Sequence, residues 1–240
     1  GGIAFAPSRR YRHAAAVVGP YYVVFGGYGP DLKSKQHPQI FFDDLHIMDV
    51  RSMKWIPLNV RGESPVARAG HAATVTGTNM YFFGGYSGAA GLHNDMHILQ
   101  TPCRPPKPDP NEKPPSMRPK DESPPPAQAL VCGPTNGGRL TVQWRKTVLQ
   151  GPSPVPRFGH SMVPAMDGTM VLVVGGFGAG SDDLNWRRRK SLAGFRNDIF
   201  LLDPLIPNIT SVSPRHGPAL GGEIVYEIVE RNDTQSVDES

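Results

Sequence analysis

The sequence repeats one short pattern three times, and this internal repetition constrains the fold more than any other feature. Each copy opens on an arginine, has a histidine three positions later, and continues to a pair of glycines. The histidines and glycine pairs are His13 with Gly26 and Gly27, His71 with Gly84 and Gly85, and His160 with Gly175 and Gly176. The first glycine follows the histidine by 13, 13 and 15 positions. This spacing indicates three copies of one structural unit, starting near residues 10, 68 and 157.

The residues inside each copy predict four short antiparallel strands. Apolar, β-branched and aromatic residues precede the glycines, and a second apolar run follows an Asp-Asp or Asn-Asp pair further along. The first two copies then reach a tryptophan, Trp55 or Trp144, which we assign to the fourth strand. The third copy has no such tryptophan, so we expect its fourth strand to be missing. Because one sheet cannot bury both of its faces, the units should stack radially around an axis.

These motifs resemble the kelch repeat, whose hallmarks are the double glycine, a downstream aromatic pair and a period of about 50 residues. The resemblance implies an all-β fold, a kelch-type β-propeller over residues 1–203. With about three blades this propeller is incomplete, since closed rings have roughly 4–8 blades. We expect the remaining blades upstream or from another chain.

Two segments depart from the repeat. Residues 102–134 hold 12 of the 26 prolines, and so apolar-poor an insertion predicts a disordered or polyproline-like loop. Residues 204–240 contain Pro207, Pro214, Pro218 and a Gly-Gly pair in a pattern that resembles the opening of an IPT/TIG domain. That resemblance implies the truncated beginning of an immunoglobulin-like β-sandwich, an interaction module.

Residues that could carry chemistry recur with the repeat, which favours structural roles for them. The three repeated histidines could converge on a metal, and Arg10, Arg68 and Arg157 could form a ring for an anion. The same recurrence predicts instead that the histidines make hydrogen bonds and that the arginines pair with acidic or carbonyl groups. We expect no catalytic residue, metal or cofactor, and no enzyme. The alternative is an enzyme or carbohydrate-binding propeller whose site lies on blades outside this sequence.

Function on propellers generally lies in loops, and the loops between the second and third strands should emerge on one face. The most distinctive of them carries a tryptophan beside four cations, Trp186, Arg187, Arg188, Arg189 and Lys190. This composition suggests an aromatic anchor with a basic collar, suited to a protein or peptide partner and in particular to an acidic one. The alternative is a solvated insertion whose Trp186 folds back on the blade.

Composition leaves the compartment open and narrows the partners. The formal charge of +4 is too small to predict nucleic-acid binding, and no apolar run approaches the length of a membrane span. Cys103 and Cys132 bracket the proline-rich insertion, either as a disulfide or as two free thiols. Cytoplasmic and extracellular or cell-surface locations are both compatible with these features.

Overall fold

The computed structural model describes residues 5–31, 39–104, 130–133, 138–149, 153–178, 194–196, 198–203 and 209–212. Nearly all regular structure in these ranges is β, together with two short 3₁₀ turns at Gly88–Ala90 and Met166–Gly168. No helix in the described ranges is long and apolar enough to span a membrane.

The strands of the described ranges are, in chain order, β1 (Ala14–Val18), β2 (Tyr21–Phe25), β3 (Tyr28–Pro30), β4 (Gln39–Phe41), β5 (Leu45–Asp49), β6 (Lys54–Ile56), β7 (Leu58–Arg61), β8 (Ala72–Thr76), β9 (Asn79–Phe83), β10 (Met96–Gln100), β11 (Cys103–Arg104), β12 (Val131–Cys132), β13 (Leu140–Thr147), β14 (Arg157–Phe158), β15 (Ser161–Ala165), β16 (Met170–Val174), β17 (Phe177–Gly178), β18 (Gly194–Phe195), β19 (Ile199–Leu202) and β20 (Ile209–Val212).

Three antiparallel sheets of the same topology follow one another along the chain. The first has the order β1-β2-β5-β6, the second contains β8-β9-β10-β13, and the third has the order β15-β16-β19-β20. Each begins just after the repeated histidine, and its second strand ends at the glycine pair. The predicted four-strand unit is thus confirmed, and the three described sheets follow one another as consecutive propeller blades would.

The hairpin that opens each sheet shows why these residues form strands. In the first sheet, β1 and β2 pair from Ala14 opposite Phe25 to Val18 opposite Tyr21, so a two-residue turn joins them. Gly19 holds a φ of +57° in that turn, a conformation that side chains with a Cβ rarely adopt. Val23 and Phe25 on alternate positions are fully buried. Val24, which points to the opposite face, is buried as well, so both faces of this inner strand are covered.

The core lies between adjacent sheets. Trp144 of the second sheet is buried. Its ring centroid lies 5.0 Å from that of Phe25 in the first sheet and 5.1 Å from that of Phe82 in its own sheet. A second apolar cluster joins the second and third sheets around Phe83, Met96 and Val171. Truncating a buried aromatic of this kind typically costs about 3–5 kcal/mol. Trp144 thus binds the second sheet to the first.

The third sheet differs from the sequence prediction, because it has a fourth strand. β20 pairs with β19, and Ile209 lies opposite Leu202 in the register where Trp144 lies opposite Leu99 and Trp55 opposite Met48. A strand inside the segment assigned to the IPT/TIG-like domain therefore completes the third blade, and the expectation of a missing strand is wrong. The rest of residues 204–240 lies outside the described ranges, so the IPT/TIG domain stays a prediction.

The second sheet carries an extra edge strand that the repeat does not predict. β7, directly after the last strand of the first sheet, pairs in parallel with β13 from Leu58 opposite Leu140 to Arg61 opposite Gln143. Gly62 then allows close passage, since a Cβ there would lie 2.2 Å from the Trp144 carbonyl oxygen. The crossing chain thereby covers an edge that would otherwise expose unpaired backbone groups.

Candidate functional site

The two ends of the sheets differ in character. We call the end where the glycine pairs lie the loop end, and the opposite end, where Gly19 and Gly77 turn, the turn end. The predicted second-to-third-strand loops all leave from the loop end, since β2, β9 and β16 finish there. The hairpin of β3 with β4 belongs to the first of these loops.

A buried arginine organises the loop end of every sheet. In the second sheet Arg68 binds both carboxylate oxygens of Asp95, with Nη1 at 2.6 Å and Nη2 at 3.0 Å. Its Nη1 also donates to the Gly84 carbonyl at 2.9 Å, and its Nε to the Val66 carbonyl at 3.0 Å. The arginine thereby ties together the strand entry, the glycine pair and the third strand.

The same contacts recur around the other two arginines. Arg10 binds Asp44 and the Gly26 carbonyl, and Arg157 binds Asp198 and the Gly175 carbonyl. The prediction that these arginines pair with acidic and carbonyl groups is confirmed. They are therefore already neutralised and do not offer an anion-binding ring.

Histidine supplements this contact in the first two sheets. Burial would raise the pKa of Asp95, but hydrogen bonds from His97 and Arg68 outweigh it and hold that pKa well below its usual range. Hydrogen bonds from Arg10 and His46 lower the pKa of Asp44 in the same way, against the effect of burial. In the third sheet Phe200 takes the place of the histidine, and the Arg157 guanidinium lies 5.2 Å from its ring centroid. The carboxylates of Asp44 and Asp95 therefore stay ionised and have a structural role.

The repeated histidines lie between the sheets. The His71 ring is 5.5 Å from that of Phe25 in the preceding sheet, and the His160 ring is 5.5 Å from that of Phe83. Burial, and next the charge of Arg68, lowers the pKa of His71 to about 3. Burial and the charge of Arg157 lower that of His160 to about 4. Both are neutral at pH 7 and serve as packing groups.

The glycine pair makes room for these histidines. A Cβ on Gly84 would lie 2.9 Å from His160 Cε1 and 2.7 Å from the Arg157 carbonyl oxygen, and a Cβ on Gly85 would lie 2.9 Å from His71 Cβ. The first glycine thus admits the histidine of the next sheet, and the second admits that of its own. Within the described ranges, three or more histidine, cysteine or carboxylate side chains nowhere gather as a metal site would need.

Aromatic rings form a continuous stripe across the loop end, which sequence reasoning missed. Its six members are partly or largely exposed and touch in the order Tyr11, Tyr28, Phe41, Tyr86, Phe158 and Phe177. Successive ring centroids are 5.5, 4.6, 5.5, 6.2 and 5.6 Å apart. We call this set the aromatic stripe. It connects all three sheets.

A sequence signal for the stripe existed. Tyr28, Tyr86 and Phe177 each follow directly on a glycine pair, so an aromatic residue recurs at one repeat position. Phe41 joins the first two sheets because it contacts both Tyr28 and Tyr86. Its membership could not be read from the repeat, since it comes from an irregular loop.

The loop residues predicted as the partner site, Trp186 to Lys190, lie outside the described residues. The proline-rich insertion is described at its two ends. There β11 and β12 form a short ribbon closed by a Cys103–Cys132 disulfide, which decides between the two cysteine states left open by the sequence. A Cβ on Gly19 would lie 3.0 Å from Cys132 Sγ, so the ribbon rests at the turn end, away from the aromatic stripe.

Comparison with known proteins agrees with this architecture. Residues 3–133, more than half of the chain, match the family described as the KLHDC2/KLHL20/DRC7 Kelch-repeats domain. The chain belongs to the kelch-repeat family. The third kelch sheet extends the same topology beyond the matched residues.

Curated relatives share the kelch segment across otherwise different proteins. The chain is 34% identical over 93 residues to human Kelch domain-containing protein 3, covering 38% of this chain and 23% of the relative. It is 37% identical over 93 residues to the Drosophila melanogaster homologue of leucine-zipper-like transcriptional regulator 1, covering 39% of this chain and 9% of the relative. It is 31% identical over 100 residues to the Dictyostelium discoideum Rho GTPase-activating protein gacHH, covering 39% of this chain and 6% of the relative. The chain thus spans less than a quarter of each of these relatives.

Proposed function

We propose that this chain is a non-enzymatic protein-interaction module that holds a protein or peptide partner at the loop end of its kelch sheets. Kelch repeats are commonly protein–protein interaction modules, and the proposal gives that general role a surface on this chain. The observation that carries it is the aromatic stripe. Rings from all three sheets remain partly exposed there, although each would be more stable if buried.

Three features of the stripe suit a protein partner. Tyrosine supplies a large apolar area with a polar tip, a combination enriched at protein interfaces. Tyr11 is 52% exposed, so a large part of its solvent-accessible surface is available to be buried when a partner binds. The rings are fixed by the paired backbones beneath them, since Tyr11 and Tyr28 exchange two backbone hydrogen bonds of 2.9 Å. A rigid surface loses little entropy when a partner docks.

A selection from random 12-residue peptides displayed on phage tests this proposal without assuming a ligand. Selected peptides are measured against the wild-type protein, a Tyr28→Ser/Tyr86→Ser variant and, because that variant could lose stability, a Tyr11→Ser variant. We expect at least tenfold weaker binding to the double variant and weaker binding to Tyr11→Ser, with folding checked by thermal melting.

The matched control alters the outer edge of the second sheet, through Val60→Ser and Arg145→Ala, two exposed positions on β7 and β13. These changes should leave peptide binding unchanged. Selected peptides whose affinity responds to the edge variants and ignores the stripe variants would contradict the proposal.

A further inference from the structure

Arg12 differs from its counterparts in the other two repeats. The position before the repeated histidine is Arg12 in the first copy, Gly70 in the second and Gly159 in the third. All three have a positive φ, of 55°, 67° and 66°. Glycine adopts this conformation freely, whereas a residue with a Cβ is uncommon there. The chain therefore keeps an arginine where its own repeat favours glycine.

Backbone hydrogen bonds place these three residues side by side across the sheets. The Gly70 amide donates to the Arg12 carbonyl at 2.8 Å, and the Gly159 amide donates to the Gly70 carbonyl at 2.7 Å. A Cβ on Gly70 would lie 3.3 Å from the Phe158 ring. The missing side chain at Gly70 thus lets the Phe158 ring of the third repeat lie close to the backbone beside Arg12.

The Arg12 guanidinium lies against the aromatic stripe. Its Cζ is 5.8 Å from the centroid of Phe158, at the outer limit for a cation–π contact, and the residue is exposed. The arginines Arg10, Arg68 and Arg157 are each bound to an aspartate, whereas Arg12 forms no ion pair with any residue in the described ranges. Arg12 therefore presents a planar set of hydrogen-bond donors, without a described carboxylate partner, beside an apolar surface.

From this juxtaposition we infer that Arg12 and the aromatic stripe bind an extended peptide of a partner protein, with the guanidinium holding an aspartate or glutamate side chain and the rings holding the apolar residues beside it. The inference rests on the proposed function and adds the chemistry of the ligand. Charge complementarity selects the acidic residue, because a guanidinium pairs with a carboxylate through two parallel hydrogen bonds.

Ring geometry favours a peptide over a single-stranded nucleic acid. The interplanar angles between successive rings of the aromatic stripe range from 43° to 89°, so no two neighbouring rings are parallel. Such packing presents no row of parallel faces on which successive bases could stack. Alternate side chains of an extended peptide repeat about every 6.6 Å, close to the ring spacings of 4.6–6.2 Å.

The test titrates the protein with fluorescent heptapeptides that are acetylated and amidated at their ends. One set carries aspartate or glutamate at the centre, flanked by Phe, Tyr, Leu or Val, and its matched set carries asparagine or glutamine instead. We expect acidic peptides to bind at least tenfold more tightly than their amide counterparts. Arg12→Gly should remove that preference and should fold normally, because it restores the glycine of the other repeats.

Two variants serve as references. Arg12→Lys keeps the charge without the planar set of donors and should retain part of the preference. Arg51→Gly makes the same substitution at an exposed turn-end arginine and should bind like the wild type.

The outcomes separate this inference from the proposed function. Peptides that ignore Arg12→Gly but lose affinity on Tyr28→Ser/Tyr86→Ser would overturn the inference and leave the proposed function standing. Binding indifferent to both sets of variants would overturn both. The inference also fails if no acidic peptide binds at millimolar concentration. It fails equally if Arg12 supports tighter binding of a 12-nucleotide oligo(dT), or of peptides whose sole acid is a free terminal carboxylate, than of the acidic heptapeptides.

Discussion

The buried arginine of each repeat shows how one side chain can fix the end of a sheet. Arg68 has 3% of its side chain exposed and donates to two backbone carbonyls as well as to Asp95. Its loss would leave the partly buried Asp95 carboxylate with the His97 hydrogen bond alone among its described side-chain contacts, and the Gly84 carbonyl without its arginine donor. Removing one member of a buried ion pair is costly for this reason.

Substituting Arg68 by alanine should therefore lower the free energy of unfolding by about 3–5 kcal/mol. Arg51→Ala is the matched control, because Arg51 pairs with Asp49 while 71% of its side chain is exposed. Exposed pairs contribute about 0–1 kcal/mol, so the control should change little. Urea unfolding of both variants measures the difference, and equal effects would contradict the structural role assigned to Arg68.

Contacts between elements make the fold sensitive to acid. His71 and His160 pack between neighbouring sheets and are neutral in the folded protein, whereas in the unfolded chain they take up protons near pH 6.5. Folded pKa values below the unfolded ones mean that stability is fully present above pH 6.5 and is lost as the pH falls toward 4.

Between pH 6.5 and 5, we expect each of these histidines to lower the free energy of unfolding by up to about 1.4 kcal/mol per pH unit. His71→Gln should flatten this dependence by its own share. The carboxylates of Asp44 and Asp95 have pKa values lowered from 3.8, so their protonation affects the free energy of unfolding below pH 4 and not between pH 6.5 and 5. Urea midpoints across the range supply the measurement, and an unaltered slope in His71→Gln would count against burial of a neutral ring.

The disulfide ribbon is a second connection between elements. Cys103 belongs to the core cluster between the first two sheets, and the disulfide closes a loop across a sequence separation of 29. It therefore restricts the unfolded chain and also anchors the base of the proline-rich insertion.

Cys103→Ser/Cys132→Ser should lower the free energy of unfolding by about 3–4 kcal/mol, from the loop-closure entropy that the disulfide removes from the unfolded state. Reductant should destabilise the wild type by a similar amount and leave the double variant unaffected. Thiol counting under non-reducing, denaturing conditions should find no free cysteine. Two reactive thiols in that assay would contradict the ribbon.

At the scale of the whole molecule, sequence periodicity predicted the three sheets but not the strands that complete or connect them. The histidine-to-glycine spacing located β1, β8 and β15, because each spacing is the length of one hairpin. It missed β20, since Ile209 stands where the other copies have tryptophan and the proline pattern around it pointed to another domain. It missed β7 because a parallel crossover strand lies outside the repeat.

The candidate site was the least predictable feature, because it arises only after the sheets are assembled. The six residues of the aromatic stripe come from six separate positions in the sequence, and their contacts depend on how adjacent sheets pack. Arg12 carried a local signal, its replacement of a repeat glycine, but the meaning of that signal depends on the neighbouring Phe158. Sequence reasoning placed function in the loops without finding this surface.

The central claim is that a partner docks at the loop end, and hydrogen–deuterium exchange of the protein with a bound, selected peptide tests it most directly. We expect slower exchange in the segments around residues 11–13, 26–28, 84–86 and 175–177. The turn-end hairpins at residues 18–21 and 76–79 and the outer strand β7 should be unchanged. Protection confined to the turn end or to β7 would contradict the account.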